Sequence, residues 1–178
     1  MSPFKKIEEQ YVSWDTFISN KMAQYGPKLM RWSLGIIFFW FGVLKFFPGL
    51  SSAETLALRT ISIISFGYVE NETARIILAT WECAIGLGLM TRYCLRATLL
   101  LLFLQMLGTL TPFLFFPREL FSTFPYAPTL EGQYIIKNLV LISAALIVGA
   151  TVRGGAMIAD PEVAAAGKAK MAAQNRGA

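Results

Sequence analysis

The sequence predicts an all-α membrane protein, a four-transmembrane-helix bundle preceded by an N-terminal interfacial amphipathic helix. Hydrophobic residues make up 55% of the chain and charged residues only 15%, whereas charged residues make up about 25% of an average soluble domain. The apolar residues are gathered into stretches close to the roughly 20 residues that a helix needs to cross a bilayer. Because lipid offers the backbone no hydrogen-bond partners, these stretches are predicted to be helical.

The first element, residues 1–28, is predicted to be an amphipathic helix lying on the cytoplasmic leaflet. Aromatic and aliphatic residues recur there at helical spacing together with several lysines, a pattern typical of interfacial helices. The segment is not predicted to be a signal peptide, because no short apolar core followed by a small-residue cleavage site is present.

Four membrane spans follow this segment. They are predicted at residues 29–47, 74–90, 97–117 and 134–152. The first ends at Pro48 and Gly49, a strong stop signal, and the third contains no charged residue. Residues 154–178, rich in Ala, Gly and Lys, are predicted to be a flexible cytoplasmic tail.

Two connections between the spans are unusual. Residues 55–69 are mostly apolar but contain Arg59, and the pattern leaves open a re-entrant helix, an interfacial helix or a fifth span. Residues 117–133 are rich in aromatic residues and proline, which is typical of a segment at the membrane–water interface.

Basic residues predict the orientation of the spans. With four spans and a cytoplasmic N-terminus, the cytoplasmic side holds all of the 16 Lys and Arg residues except five, as the positive-inside rule requires. A fifth span would move Arg92 and Arg96 to the outside. The sequence therefore predicts a multi-pass inner (plasma) membrane protein with both termini in the cytoplasm. The basic residues predicted outside are Lys45, Arg59, Arg75, Arg118 and Lys137.

Composition excludes several classes of chemistry. The chain has no histidine, which removes His-ligated haem and most His-containing metal sites, and no metal site is predicted. The net charge of +5 comes from residues that flank the spans, so no nucleic-acid partner is predicted. Cys83 and Cys94 would lie about 16 Å apart along one helix, too far apart for a disulfide.

Two lysines and one glutamate fall inside the predicted spans: Lys45, Glu82 and Lys137. Charge at membrane depth costs at least ~2.5–3.5 kcal/mol on insertion scales, so each residue is a candidate for function. The predicted topology places all three in the outer half of the membrane. Two lysines against one glutamate leave a positive charge that an anionic ligand could balance. The alternatives are a buried ion pair that only locks the helices, and lysines that reach the interface.

Polar residues at the same level extend this candidate site. The predicted ligand-binding residues are Lys45, Glu82, Gln105, Thr109, Lys137 and Asn138. Gly35, Gly42 and Gly86 are predicted to be packing residues, because small residues usually mark the side of a membrane helix that faces another helix. Catalytic residues are not identified by the sequence.

Three sequence motifs resemble the DoxX/DoxD-like superfamily. They are R-W-S-L-G-I-I-F-F-W-F-G-V-L-K-F-F from residue 31, W-E-C-A-I-G-L-G-L from residue 81 and K-N-L-V-L from residue 137. Together with T-x-T-P at residues 109–112, they make the chain similar to the YkgB-type inner-membrane proteins linked to reactive-chlorine resistance. The resemblance extends over residues 28–154, and the matching residues are Gly42, Lys45, Glu82 and Lys137.

The resemblance implies a four-helix membrane protein associated with redox or oxidative-stress systems. Some members of the superfamily are subunits of thiosulfate–quinone oxidoreductase, and others accompany oxidoreductase partners. Because one fold supports many functions, the resemblance does not decide whether this chain is an enzyme. A membrane or soluble oxidoreductase is the partner that it suggests, and a quinone is the cofactor.

Three functions are compatible with the residues. The leading hypothesis is a subunit or stress-protection protein that binds a small anionic or quinone-like molecule at the Lys45, Glu82 and Lys137 cluster. In this hypothesis Glu82 could also relay a proton. A second is a small dimeric transporter with Glu82 as its coupling carboxylate. A third is a membrane scaffold or assembly factor in which the cluster is structural. Small-residue helix faces also make a homo-oligomer a candidate assembly.

Overall fold

The computed structural model describes residues 3–51 and 54–176, and the chain is 77% helix and 3% strand. The predicted helical class is therefore confirmed. In chain order the elements are α1 (Pro3–Leu44), α2 (Glu54–Ile64), α3 (Asn71–Thr91), α4 (Leu95–Leu110), α5 (Pro112–Phe115), α6 (Pro117–Leu120), β1 (Phe121–Thr123), β2 (Ala127–Pro128), α7 (Leu130–Ala150) and α8 (Pro161–Arg176).

Among the residues that the structure describes, three helical segments are long and apolar enough to cross a membrane. They are Asn71–Thr91, Leu95–Phe115 and Leu130–Ala150, which correspond to the second, third and fourth predicted spans. The last begins four residues earlier than predicted, where the side-chain oxygen of Thr129 accepts a hydrogen bond from the N–H of Gly132. Such a cap satisfies one of the free N–H groups of the first turn and so fixes the start of the helix.

Helix α1 is continuous through the predicted boundary between residues 28 and 29. It passes Pro27 without ending, although proline lacks an N–H group and usually breaks a helix interior. Its end also differs from the prediction, since α1 stops at Leu44 and not at residue 47. The next residues form a tighter turn in which the N–H of Lys45 bonds to the carbonyl of Gly42 over 3.1 Å. Gly49 follows at a positive φ of 78°, which glycine adopts without strain.

The chain divides into two compact units, residues 30–152 and the two terminal segments. The terminal unit contains the N-terminal part of α1, where Tyr11 and Trp14 are exposed. Along the same helix the ammonium of Lys21 lies 5.5 Å from the Phe17 ring and 5.6 Å from the Tyr25 ring. Basic and aromatic side chains therefore alternate along one helix surface of this unit.

The predicted flexible tail contains a helix that sequence analysis missed. α8 runs Pro161–Arg176, and the Asp160 carboxylate accepts hydrogen bonds from the N–H groups of Glu162 and Val163. This cap, Pro161 at the first helical position and several alanines all favour helix formation. Abundant small residues predict a tail, but alanine is also the strongest helix former.

In the unit of residues 30–152, residues from α1, α3, α4 and α7 form one apolar core. The buried residues of this core are Leu34, Phe38, Ile85, Leu89, Leu95, Leu99, Leu102, Met106, Ala144, Ala145 and Val148. Glycines bring α1 against α3: a Cβ atom on Gly86 would lie 2.6 Å from the Cβ of Phe39, and one on Gly42 would lie 2.8 Å from the backbone nitrogen of Cys83. Both distances are shorter than atoms tolerate, so only glycine permits this approach.

The segment that begins at residue 55 is too short for a fifth span. α2 has 11 residues and is thus about 16 Å long, well below the roughly 30 Å of a hydrocarbon core. It packs against α3 and α5. Its Arg59 guanidinium bonds to both carboxylate oxygens of Glu119, at 2.8 and 3.0 Å, and lies 4.3 Å from the Phe116 ring. These contacts hold α2 against the segment that precedes the hairpin.

The aromatic connection before α7 is compact. β1 and β2 pair antiparallel, with Phe121 opposite Pro128. The Phe121 ring lies 5.8 Å from that of Phe113 and 5.3 Å from that of Phe124, while Leu120 is fully buried. This packed hairpin sets the point at which α7 enters the bundle.

Candidate functional site

Glu82 is the centre of the polar contacts in the bundle. It lies on the face of α3 that packs against α1 and α4, and its side chain is 11% exposed. One carboxylate oxygen is 2.6 Å from the ammonium of Lys45, and the other accepts a hydrogen bond of 2.7 Å from the amide of Gln105. We call Lys45, Glu82 and Gln105 the ionic network. It joins α3 and α4 to the turn that follows α1.

Lys45 reaches Glu82 because of the turn that ends α1. Gly42 allows α1 to lie directly on α3 beside Glu82 and Cys83, and Lys45 follows one turn later. The Lys45 side chain is 13% exposed. Its ammonium has one further contact, a long one of 3.5 Å to the carbonyl of Phe41, so one of its three protons has no protein acceptor in the described part of the chain.

Arg75 holds this turn in place, and sequence analysis missed its role. Its guanidinium donates to the carbonyls of Lys45 and Phe46 over 2.8 and 2.7 Å. Carboxylates of Glu54 and Glu72 lie 3.9 and 3.6 Å from it. Arg75 is 8% exposed, whereas the sequence suggested only an arginine that flanks a span. Its position in the first half of α3, one helical stripe before Glu82 at i and i+7, was the available signal.

Two further predicted residues form a separate hydrogen bond. The amide of Asn138 on α7 donates to the hydroxyl of Thr109 on α4 over 3.3 Å, and that hydroxyl donates to the carbonyl of Met106. Thr109 lies one helical turn from Gln105, on the same side of α4. The turn after α1 and helices α3, α4 and α7 thus each contribute a polar group to one of these two sets of hydrogen bonds.

The structure does not bring Lys137 into the ionic network. Its side chain is exposed, and its ammonium lies 5.5 Å from the ring of Tyr134 on the same helix. Neighbouring residues on a helix point about 100° apart, so Asn138 facing the bundle turns Lys137 away from it. Among the described residues, Lys137 makes no ion pair with Glu82.

Without Lys137 the charges of the network balance. Lys45 contributes one positive charge and Glu82 one negative charge, and Gln105 is neutral. An anion is therefore not needed to balance the charge of the network. A neutral molecule that accepts a hydrogen bond from Lys45 and donates one to Glu82 suits the arrangement better. Within the described residues, no group of three or more Cys, Asp or Glu side chains is placed to hold a metal ion.

The three glycines predicted to pack do lie at helix contacts. A Cβ on Gly35 would approach the Met90 side chain to 2.7 Å, and the surroundings of Gly42 and Gly86 are equally close.

Comparison of the chain with family models, with curated proteins and with solved structures found no match.

Proposed function

We propose that the chain is an inner-membrane protein of four transmembrane helices, with both termini cytoplasmic, that binds a small quinone-like molecule at its ionic network. In this proposal it is a DoxX-like subunit or accessory of a membrane redox or oxidative-stress system. The observation that carries the proposal is the 2.6 Å contact between Lys45 and Glu82, joined by Gln105, in a unit whose largest fully buried side chains are all apolar.

The C-terminal part of α1 supplies the fourth span in this proposal. Its buried residues Leu34 and Phe38 belong to the apolar core, while Trp32, Trp40 and Phe41 on its other sides are 47–64% exposed. Large apolar patches on a protein surface need a partner or a membrane to cover them. Hydrocarbon around this helix provides that cover.

The proposed ligand follows from the unused hydrogen-bonding capacity of the network. A lysine ammonium donates three protons and a carboxylate offers about four acceptor positions, of which the ion pair and Gln105 use only part. A quinone carbonyl accepts from Lys45, and the hydroxyl of the reduced form donates to Glu82. Both side chains retain some exposure, 13% and 11%, which allows a molecule dissolved in the membrane to reach them.

The test is native mass spectrometry of mildly extracted protein, comparing wild type with Glu82→Gln and Lys137→Gln. Glu82→Gln removes the charge but keeps a side chain of the same size, so we expect a folded protein that has lost the ligand. Lys137→Gln is the matched control, since Lys137 is exposed and outside the network, and it should keep the ligand. Equal ligand retention in all three proteins, or none in wild type, would reject the proposal.

A scaffold or assembly factor is the second candidate, and one observation favours it. Every buried side-chain nitrogen and oxygen of the described residues has a hydrogen-bond partner, which is what a purely structural lock between helices requires. In that case native mass spectrometry should show a partner protein and no small molecule, in wild type and Glu82→Gln alike.

A dimeric transporter remains the third candidate. Transporters often carry interrupted membrane helices next to their binding sites. The apolar segment Leu95–Phe115 is interrupted at Thr111, between α4 and α5, six residues beyond Gln105. If wild type takes up a substrate into proteoliposomes and the Glu82→Gln variant does not, while both retain the same ligands, this candidate is favoured over the first.

A further inference from the structure

We propose that the turn between α3 and α4 binds a phosphate group, presented by the head group of an anionic lipid. This site is separate from the ionic network and lies at the C-terminal end of α3, beyond Glu82 in the middle of that helix. An open cavity of about 440 Å³ is found there, lined by Arg92, Cys94, Leu95, Arg96, Ala97 and Val152. Small-molecule sites typically have volumes of roughly 300–1,000 Å³.

Positive charge is concentrated at this cavity. Arg92 and Arg96 both line it, and both are exposed. Neither forms an ion pair with any described residue. The guanidinium of Arg31 lies close by, where it donates to the carbonyls of Leu89 and Met90 at the end of α3.

Carboxylates are placed elsewhere in this unit. The acidic residues between residues 30 and 152 are Glu54, Glu70, Glu72, Glu82, Glu119 and Glu131. They lie on α2, on or just before the first two-thirds of α3, on α6 and in the first turn of α7. Guanidinium groups pair readily with phosphate through parallel hydrogen bonds, and among the described residues none of those that line this cavity is a carboxylate that would compete with it.

The backbone adds to the same preference. α4 has 16 residues and starts at Leu95, and no side chain caps its first N–H groups. A helix N-terminus carries partial positive charge and free N–H donors, and the two arginines flank this end of α4. The cavity therefore combines three groups that attract an anion: the guanidinium of Arg92, the guanidinium of Arg96 and the N-terminus of α4.

Apolar residues in the lining favour a lipid over free phosphate. Leu95, Ala97 and Val152 form part of the cavity wall, and they would be covered by the glycerol and first acyl carbons of a lipid. Inorganic phosphate would leave them in water. A purely topological role for the arginines requires their charge near the membrane surface, but it does not require a cavity.

The test uses the full-length protein in nanodiscs made from equal amounts of phosphatidylglycerol and phosphatidylcholine. Lipid that stays bound after extraction is identified by native mass spectrometry for wild type and for Arg92→Gln/Arg96→Gln. The matched control is Arg118→Gln/Lys137→Gln, which removes the same charge at exposed residues of the other end. A hydrogen bond to a charged group contributes at least about a factor of ten to affinity. We therefore expect Arg92→Gln/Arg96→Gln to retain at least about tenfold less phosphatidylglycerol than wild type. The control should retain it.

A second variant, Ala97→Glu, places a carboxylate in the cavity and should displace the lipid without removing either arginine. A separate melting experiment with inorganic phosphate in detergent distinguishes the two phosphate sources. Stabilisation of wild type and not of Arg92→Gln/Arg96→Gln, without selective lipid retention, would support the phosphate site and assign it to the free anion. Equal retention of phosphatidylglycerol by wild type and both cavity variants, with no phosphate effect, overturns the proposal.

Discussion

Lys45 and Glu82 depend on each other because each is a charge that the bundle holds almost out of water. Their side chains are only 13% and 11% exposed. We expect Lys45→Met or Glu82→Met alone to lower the free energy of unfolding by about 3 kcal/mol, since each leaves one buried charge unpaired. The double variant should recover most of this loss, because apolar side chains of similar size replace a buried pair at little cost.

This double-mutant cycle is measured by reversible unfolding in detergent micelles. Arg59→Met and Glu119→Met provide the comparison, because that pair is half exposed, at 49% and 51%, and such pairs contribute at most about 1 kcal/mol. Additive effects of Lys45→Met and Glu82→Met would show that the two residues are not coupled.

Arg75 is predicted to control the position of Lys45. Its guanidinium binds the carbonyls of Lys45 and Phe46, so Arg75→Met removes two hydrogen bonds that hold the turn after α1. We expect faster hydrogen exchange over residues 45–49, by about tenfold for the loss of a bond to a charged donor, with little change within α7. Arg118→Met, at an exposed position, is the control, and equal exchange in the two variants would contradict this role.

A site residue can be predicted from the sequence when its place in a helix leaves its side chain only one direction in which to point. Glu82 lies in mid-helix in an apolar stretch, where charge must face a partner, and Gln105 follows the same logic. Lys137 lies in the second turn of α7, where a long side chain can reach outward, and its direction was settled only by Asn138 facing Thr109. Arg75 was missed because the groups that it donates hydrogen bonds to are the backbone carbonyls of Lys45 and Phe46, which every residue type carries and which no sequence pattern distinguishes.

At the level of the elements, the contact between α1 and α3 depends on glycine. A Cβ on Gly86 would lie 2.5 Å from the backbone nitrogen of Phe39 and 2.6 Å from its Cβ. Neither atom can move without shifting α1, so we expect Gly86→Ala to destabilise the protein by roughly 1–3 kcal/mol. Unfolding followed by circular dichroism measures this.

Gly108→Ala is the control for that substitution. Gly108 also lies within a helix, α4, but nothing lies within 4 Å of the position that a Cβ would take. Because alanine is the better helix former by about 1 kcal/mol, Gly108→Ala should be neutral or stabilising. A similar loss of stability in both variants would show that the close contact with α1 is not the cause of the effect at Gly86, since Gly108 has no such contact.

Element boundaries were less predictable than element types. Hydropathy identified α3, the segment formed by α4 and α5, and α7, because crossing a membrane fixes both length and composition. It gave no information on α8, which is polar and depends on local propensity and on the Asp160 cap. The predicted boundary between residues 28 and 29 rests on the change from polar to apolar sequence, but Lys28, Leu29 and Met30 are good helix formers, and α1 continues through it.

For the whole molecule, the number of membrane spans decides on which side of the membrane the N-terminal part of α1 lies. If residues 30–44 cross the membrane together with the three apolar segments Asn71–Thr91, Leu95–Phe115 and Leu130–Ala150, the chain crosses four times. The N-terminal part of α1 and the turn between α3 and α4 then lie on the same side. If only the three apolar segments cross, the N-terminal part lies with the hairpin on the other side. A single reporter in α1 therefore distinguishes the two arrangements.

Cysteine labelling with a membrane-impermeant maleimide reads this arrangement directly. Three single-cysteine proteins are needed: one that keeps Cys94, one with Ser13→Cys and one with Ser122→Cys, all at exposed positions. Because the excess of basic residues predicts a cytoplasmic location, we expect Cys94 and Ser13→Cys to react only in inside-out vesicles. Ser122→Cys, in the hairpin, should react only in intact spheroplasts. Reaction of Ser13→Cys together with Ser122→Cys would instead establish three spans, move the N-terminus outside, and leave residues 30–44 as a helix that packs on the bundle without crossing.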